Sequence, residues 1–261
     1  MNQKLKHHIN KALNKGIRLD GRKKEEYRNI EIETGVVATA EGSARVKCGD
    51  TEVIAGVKLD IGEPYPDSPD KGVMMVGSEL LPLANPEFEG GPPRIEDIEV
   101  ARVIDRGIRE GKAIDTKKLC IRKGELVWMV MIDVLPINYD GNLIDMGGLA
   151  ALAALKDTNM LKLEDDKPVY GERTDKKLPV GNMPLPVTII KIGNNFIVDP
   201  AEDEEKALDA RLTIGVLEDG SLCSMQKGGD TPLSIEDIDQ MIGLALKKSK
   251  EVRTKLEASV K

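Results

Sequence analysis

The sequence predicts an α+β chain of two similar lobes, each made of strands followed by helices. Three observations carry this. Short apolar runs separated by Gly- and Asp-bearing turns fill residues 30–59 and 185–226, the pattern of antiparallel strands. Longer segments with helical apolar spacing follow in each half, at 96–111 and 235–255. Residues 163–182 are charged and Pro-bearing without periodicity. They are expected to connect a first lobe, residues 1–182 with an N-terminal helix, to a second, residues 183–261.

The elements are expected in the following order. Residues 3–15 place Leu5, Ile9, Ala12 and Leu13 on one helical face, and Gly16 sits where a helix C-cap belongs. Strand-like runs cover 30–34, 35–40, 43–48 and 51–59, with turns at Glu41-Gly42 and Gly49-Asp50. The stretch 61–72 is rich in Pro, Gly and Asp and reads as a surface loop. A strand-like pattern resumes at 73–83, and a loop follows to Pro93 before the helix at 96–111. Residues 126–134 (LVWMVMIDV) form a buried strand, Asp140-Gly141 a turn, and MGGLAALAAL (146–155) a small-residue helix able to lie close to a sheet. In the second half, strands are expected at 185–192, 196–198, 210–217 and 222–226. Ser234 and Asp237 resemble a capping box for the closing helix.

Composition limits the function. The net charge is −7 and aromatics make up 3% of the chain, which disfavours a base-stacking platform for single strands but leaves room for a local basic patch. Cys48, Cys120 and Cys223 are far apart and the only histidines are His7 and His8, so no zinc framework and no other metal site is read. Thiols of this kind fit a reducing, cytoplasmic compartment. No run is long enough to cross a membrane and the start is too polar for a signal peptide. No Walker, GxGxxG, GxSxG or HExxH motif is present, and no cofactor is implied.

Three places could carry chemistry. Arg102, Arg106 and Arg109 recur at i, i+4 and i+7 on one helix face, a spacing suited to successive phosphates. Glu99, Asp105 and Glu110 flank them, so the helix alone reads first as a solvated, ion-paired face. IVDPAEDEEKALDARLTIGV (197–216) gathers Asp199, Glu202, Asp203, Glu204, Glu205 and Asp209. Asp203 to Glu205 read as acids of a solvated turn, and only Asp209 stands at the entrance to an apolar strand. QKGGD (226–230) could aim backbone N–H groups at an anion, although a Gly pair is usually only a turn.

These residues resemble the RNase PH family over nearly the whole chain. Ile17 to Val57 resembles the family's N-terminal signature, with Arg18, Asp20-Gly21-Arg22, Arg28, Gly42-Ser43, Gly49-Asp50-Thr51 and Val53 at its spacing. EVARVIDRGIR resembles its Arg-bearing helix, and 132–155 its central strand, turn and helix. VDP, LDARLTIGV and MQKGG continue the likeness. It implies the RNase PH fold, with two lobes of mixed sheet and helices (ribosomal S5 domain 2-like). Active members are phosphorolytic 3′→5′ exoribonucleases that need a phosphate-binding Arg at the start of the Arg-bearing helix and an Asp pair near the strand at 210. Here the Arg position falls on Glu96, and Arg94 is two residues off register. Asp209 matches the second acid; the first would be Asp203 if the turn is ungapped.

These departures resemble the non-catalytic type of member found in the archaeal exosome. The resemblance then implies a six-membered ring, three copies alternating with three of a catalytic RNase PH-like paralogue, capped by subunits with RNA-binding domains. It implies contact with single-stranded RNA through Arg102 and Arg106, with Arg109 and Arg94 alongside, and Asp209 as a residual family acid. Two rivals remain: an active exoribonuclease using Asp203, Asp209 and Arg94, and a small-molecule enzyme on the same fold.

Overall fold

The computed structural model describes residues 3–259. In chain order the elements are α1 (Gln3–Asn14), β1 (Ile30–Thr34), β2 (Gly42–Cys48), β3 (Thr51–Gly62), β4 (Val73–Ser78) and α2 (Ile95–Glu110). A short 3-10 turn at Thr116–Leu119 leads to β5 (Cys120–Arg122), β6 (Leu126–Asn138), α3 (Leu143–Asp157), β7 (Asn159–Glu164) and β8 (Lys167–Lys177). The second half holds β9 (Leu185–Ile192), β10 (Asn195–Val198), α4 (Glu202–Ala207), β11 (Ala210–Val216), β12 (Leu222–Gly228) and α5 (Ile235–Ser259). The first sheet runs β1-β2-β3-β6-β4, with β5 on β6, and only its β4–β6 pair is parallel. The second runs β10-β9-β11-β12, all antiparallel.

Alternation on β3 explains the first sheet. Val53, Ala55, Val57 and Leu59 are fully buried, while the residues between them are partly exposed. α3 lies on this inner face and also against β9, so it is sandwiched between the two sheets. A helix apolar all round belongs in such a place, and α3 is buried from Leu143 to Leu155. The glycine pair makes the fit. A Cβ on Gly147 would stand 3.0 Å from Ile104 and 3.1 Å from Val134; one on Gly148 would stand 2.6 Å from Pro186. Neighbouring glycines thus let one helix approach both lobes.

The faces of β9 alternate as well. Thr188 bonds Asp145 of α3, whereas Lys191 pairs with Asp237 of α5, so the two helices lie on opposite faces of the second sheet. The reciprocal bonds Ser234 N to Asp237 (3.0 Å) and Asp237 N to Ser234 Oγ (3.1 Å) form the expected capping box. Gly16 ends α1 with φ +77. Although first in the chain, α1 rests on the second sheet: Ile9 and Leu13 pack with Ile190, Ile192, Ile197 and Ala207.

Three expectations fail. Residues 163–182 are not an irregular connector, because most of them build the β7–β8 hairpin, whose turn holds Asp165 and Asp166 at φ 47 and 60. Positive φ at both central residues is the geometry of a tight hairpin turn. From Leu163 to Lys177 both faces of the hairpin are exposed or partly exposed, so no apolar alternation marks that stretch. Residues 35–40 are not a strand; Ser43 accepts from Gly35 N through its carbonyl and from Val37 N through its hydroxyl, which folds the segment into a turn. The strand expected over 73–83 stops at Ser78.

Asp145 ties α3 to the second lobe. It accepts from Thr188 N (2.9 Å) and Thr188 Oγ1 (2.6 Å), and Thr213 Oγ1 lies 2.8 Å from Thr188 Oγ1. Burial pushes its carboxyl up to about 7, against the pull of the Thr188 bonds. With the folded-state pKa above the unfolded one, the stability from this group is full in acid and lost as pH rises through about 7. Asp145→Asn should therefore gain on the native chain as pH rises from 4 to 8, by about 4 kcal/mol in total. Urea unfolding of both proteins across that range checks it, and a constant difference would contradict it.

Candidate nucleic-acid interface

α2 presents two faces. Val100, Ile104 and Ile108 are buried against the core, and Asp97 at the first turn accepts from Leu80 N (2.6 Å) and Arg94 N (3.0 Å). That capping carboxylate is well placed at a helix N-terminus. On the open face the arginines divide. Arg109 donates to Asp105 (2.7 and 3.0 Å) and to Met74 O (3.0 Å). Arg94 pairs with Glu89. Arg102 and Arg106 are exposed and make no ion pair or side-chain hydrogen bond among the described residues. The expected solvated, ion-paired face thus holds for Arg109 only. Residues four apart on a helix lie about 5–6 Å apart at Cβ, so the two uncommitted arginines rise from neighbouring positions on the open face.

They line a wide groove with Tyr65, Met75, Ile98 and Gln226. Its rim carries exposed apolar residues, Ile95 at 81% and Ile98 at 49% of full exposure. Glu96 is exposed in the first turn of α2 and sets a negative charge where the resemblance places a phosphate-binding Arg.

Most of the acid cluster is not a solvated turn. Glu202–Ala207 form the short helix α4. Glu204 is buried and receives Arg18 Nε (2.9 Å), Arg18 Nη2 (2.5 Å) and Ala201 N (2.9 Å). Glu205 accepts from Tyr139 Oη (2.5 Å) and Asn142 N (2.9 Å). Asp199, at φ 46, is fully buried and binds Arg28 (2.7 to 2.9 Å), Arg22 Nη1 (2.6 Å) and Asn142 Nδ2 (2.9 Å). The reading of 203–205 as solvated holds for Asp203 alone, which is exposed and unbonded among the described residues. Asp199 and Glu204 are structural because arginines from the N-terminal signature reach them, a pairing distant in sequence, and Glu205 is held by Tyr139 and Asn142. No group of acids, Cys and His able to hold a metal occurs among the described residues.

Asp209 is also engaged. Lys6 of α1 stands 2.5 Å from it, and Gly193 N donates at 2.6 Å. Burial pushes this carboxyl up, but the Lys6 and Gly193 bonds outweigh it and hold it below the usual range. Arg211 pairs with Glu99 of α2 at 2.6 Å, and its guanidinium lies against Gly228, where a Cβ would meet Nη2 at 2.7 Å. Gly229, at φ +79, packs on the backbone of Asp209 and Ala210. The Arg211 guanidinium and the Asp209–Ala210 backbone thus pack against the two glycines of the QKGGD turn.

The comparisons agree with this architecture. Family models described as the 3′ exoribonuclease family (RNase PH), domain 1 and domain 2, match residues 26–160 and 182–248. The chain belongs to the RNase PH family. A relative from Methanothermobacter thermautotrophicus, called exosome complex component Rrp42, is 47% identical over 254 residues, 97% of this chain and 94% of its own. A protein of the same name from Thermococcus gammatolerans is 50% identical over 92% of this chain and 89% of its own. A chain of the Archaeoglobus fulgidus exosome with RNA bound to the active site is 42% identical, with TM-score 0.89, covering 97% of this chain and 98% of that one. A chain of an archaeal exosome core is 39% identical, with TM-score 0.86 over 98% and 97%.

Removing one partner of the Arg18–Glu204 pair strands a buried charge. Arg18→Ala should cost about 3–5 kcal/mol, and Arg18→Met with Glu204→Leu together should recover most of it. Guanidinium unfolding of the three proteins measures this; an Arg18→Ala loss under 1 kcal/mol would mean water solvates Glu204.

Proposed function

We propose that this chain is a non-catalytic subunit of an exosome ring, a partner that holds RNA for a catalytic RNase PH-like paralogue during phosphorolytic 3′→5′ degradation. The observation that carries this is the division of labour among its charges. Arg102 and Arg106 are uncommitted at the rim of a groove, while the family acid Asp209 is bound to Lys6 and Gly193 N. A general acid must be free to approach the phosphate it serves, and this one is not. Arg94, which an active enzyme would need, is paired with Glu89. Glu96 repels phosphate at the entrance.

Several observations support the partner role. The relatives reported above are exosome components, and one similar chain comes from an exosome holding RNA. The exposed apolar rim around Ile95 and Ile98 suits burial by another subunit. In this reading the paralogue covers that rim, alternates with this chain three and three, and shares a channel where Arg102 and Arg106 grip phosphates near the RNA 3′ end. Arg109 supports them from its bond to Asp105, and cap subunits feed RNA from outside. No described helix is long and apolar enough to cross a membrane, and a cytoplasmic site of action completes the proposal. The division at residue 182 separates the two sheets in this scheme.

Mixing decides the function. The chain alone should release no nucleoside diphosphate from RNA with added phosphate, whereas its mixture with a catalytic paralogue should. Release by the chain alone would make it an enzyme and sink the proposal. In the mixture, Asp209→Ala should leave the rate within about twofold. Arg106→Ala should weaken RNA binding about tenfold and reduce the salt slope by about 0.7.

A further inference from the structure

α1 carries a second basic surface, remote in sequence from the arginines of α2. Its twelve residues, QKLKHHINKALN, contain no acid. The apolar face is used: Ile9 and Leu13 are buried against the second sheet. Opposite that face, His8 and Lys11 share one helical stripe, Lys15 continues it in the following turn, and His7 stands beside it. All four are exposed, and none forms an ion pair or side-chain hydrogen bond among the described residues. The stripe ends at two exposed apolar side chains, Ile17 at 56% and Leu19 at 49% of full exposure.

The acids nearest to this stripe are mostly spent elsewhere. α1 packs against α4. There Glu202 is bound to Asn85 and Lys206, Glu204 to Arg18, and Glu205 to Tyr139. Asp209 is taken by Lys6, which projects from the inner side of α1. Asp203 alone stays open. Lys11 and Lys15, in a chain of net charge −7, are therefore not neutralised from within.

We infer that the outer face of α1 is a phosphate-tracking surface for an extended single strand of RNA, separate from the α2 arginines. The chemistry favours backbone over bases. Lysines act as point charges without the planar fork that reads a base edge, and α1 carries no Phe, Tyr or Trp to build a stacking platform. Binding there is expected to be independent of sequence and steeply dependent on salt. The inference rests on the proposed RNA role, and the α2 variant below separates its failure from failure of that role.

Anisotropy of a labelled 30-nucleotide oligoadenylate, titrated with the full-length chain from 50 to 300 mM KCl, tests it. Lys11→Glu with Lys15→Glu should lower affinity at least tenfold and reduce the salt slope by about 1.4, for two lost phosphate contacts. Lys11→Gln with Lys15→Gln should show the same loss of slope, which assigns the effect to lost cations rather than added acids. Both side chains are exposed, so unchanged thermal melting is expected. Arg106→Ala runs in parallel. Loss in Arg106→Ala with none in the lysine variants would overturn the α1 surface and leave the proposed function standing. No loss in either would overturn both. Polyglutamate competing as well as RNA would also overturn it, in favour of an acidic protein as the occupant.

Discussion

A single buried carboxylate organises this molecule. Asp199 ends β10 in a left-handed conformation and gathers Arg22 and Arg28 from the N-terminal signature and Asn142 from the start of α3. Burial would raise its pKa, but the Arg28 contacts outweigh this and hold it below the usual carboxylate range. Arg18, beside it, donates to the carbonyls of Val198 and Asp199 and to Glu204. These charges are out of water and survive because each is matched by several directed partners. The knot ties both lobes and the N-terminal segment together at one point, and α3 lies between the sheets beside it.

Function follows from what that framework leaves over. Where arginines meet acids, their charge is consumed in holding the fold; Arg18, Arg22, Arg28 and Arg211 are all spent this way. Arg102 and Arg106 point away from the framework into a groove with an apolar rim. Position relative to the core, rather than residue type, separates a structural guanidinium from one left open at a groove. The same sorting acts on acids. Asp209 stands at the mouth of a strand, yet Lys6 closes on it.

The two charged faces have different physical character. The α2 pair sits on a rigid helix anchored by Val100, Ile104 and Ile108, with planar donors in fixed register. The α1 stripe consists of lysines and imidazoles on long or open side chains, in a protein whose net charge is acidic. The first suits a grip on defined phosphates. The second suits loose, salt-sensitive attraction.

Much of this was legible in the residues. The alternation 51–59, the all-apolar helix with its Gly pair, the Arg periodicity on α2 and the Ser234–Asp237 cap are local patterns, and short-range geometry imposes them wherever the chain folds. The β7–β8 hairpin was not legible, because from Leu163 onward it is wet on both faces and needs no apolar alternation. Nor was the fate of the acids at 199–209. Which of them would be buried, bound or free depended on arginines more than 170 residues earlier and on Lys6. Sequence decided the elements whose periodicity it carries and the charges they bear, since both are local properties. Tertiary structure alone decided which charges remain unpaired, because pairing is set by distances that only the packed chain creates.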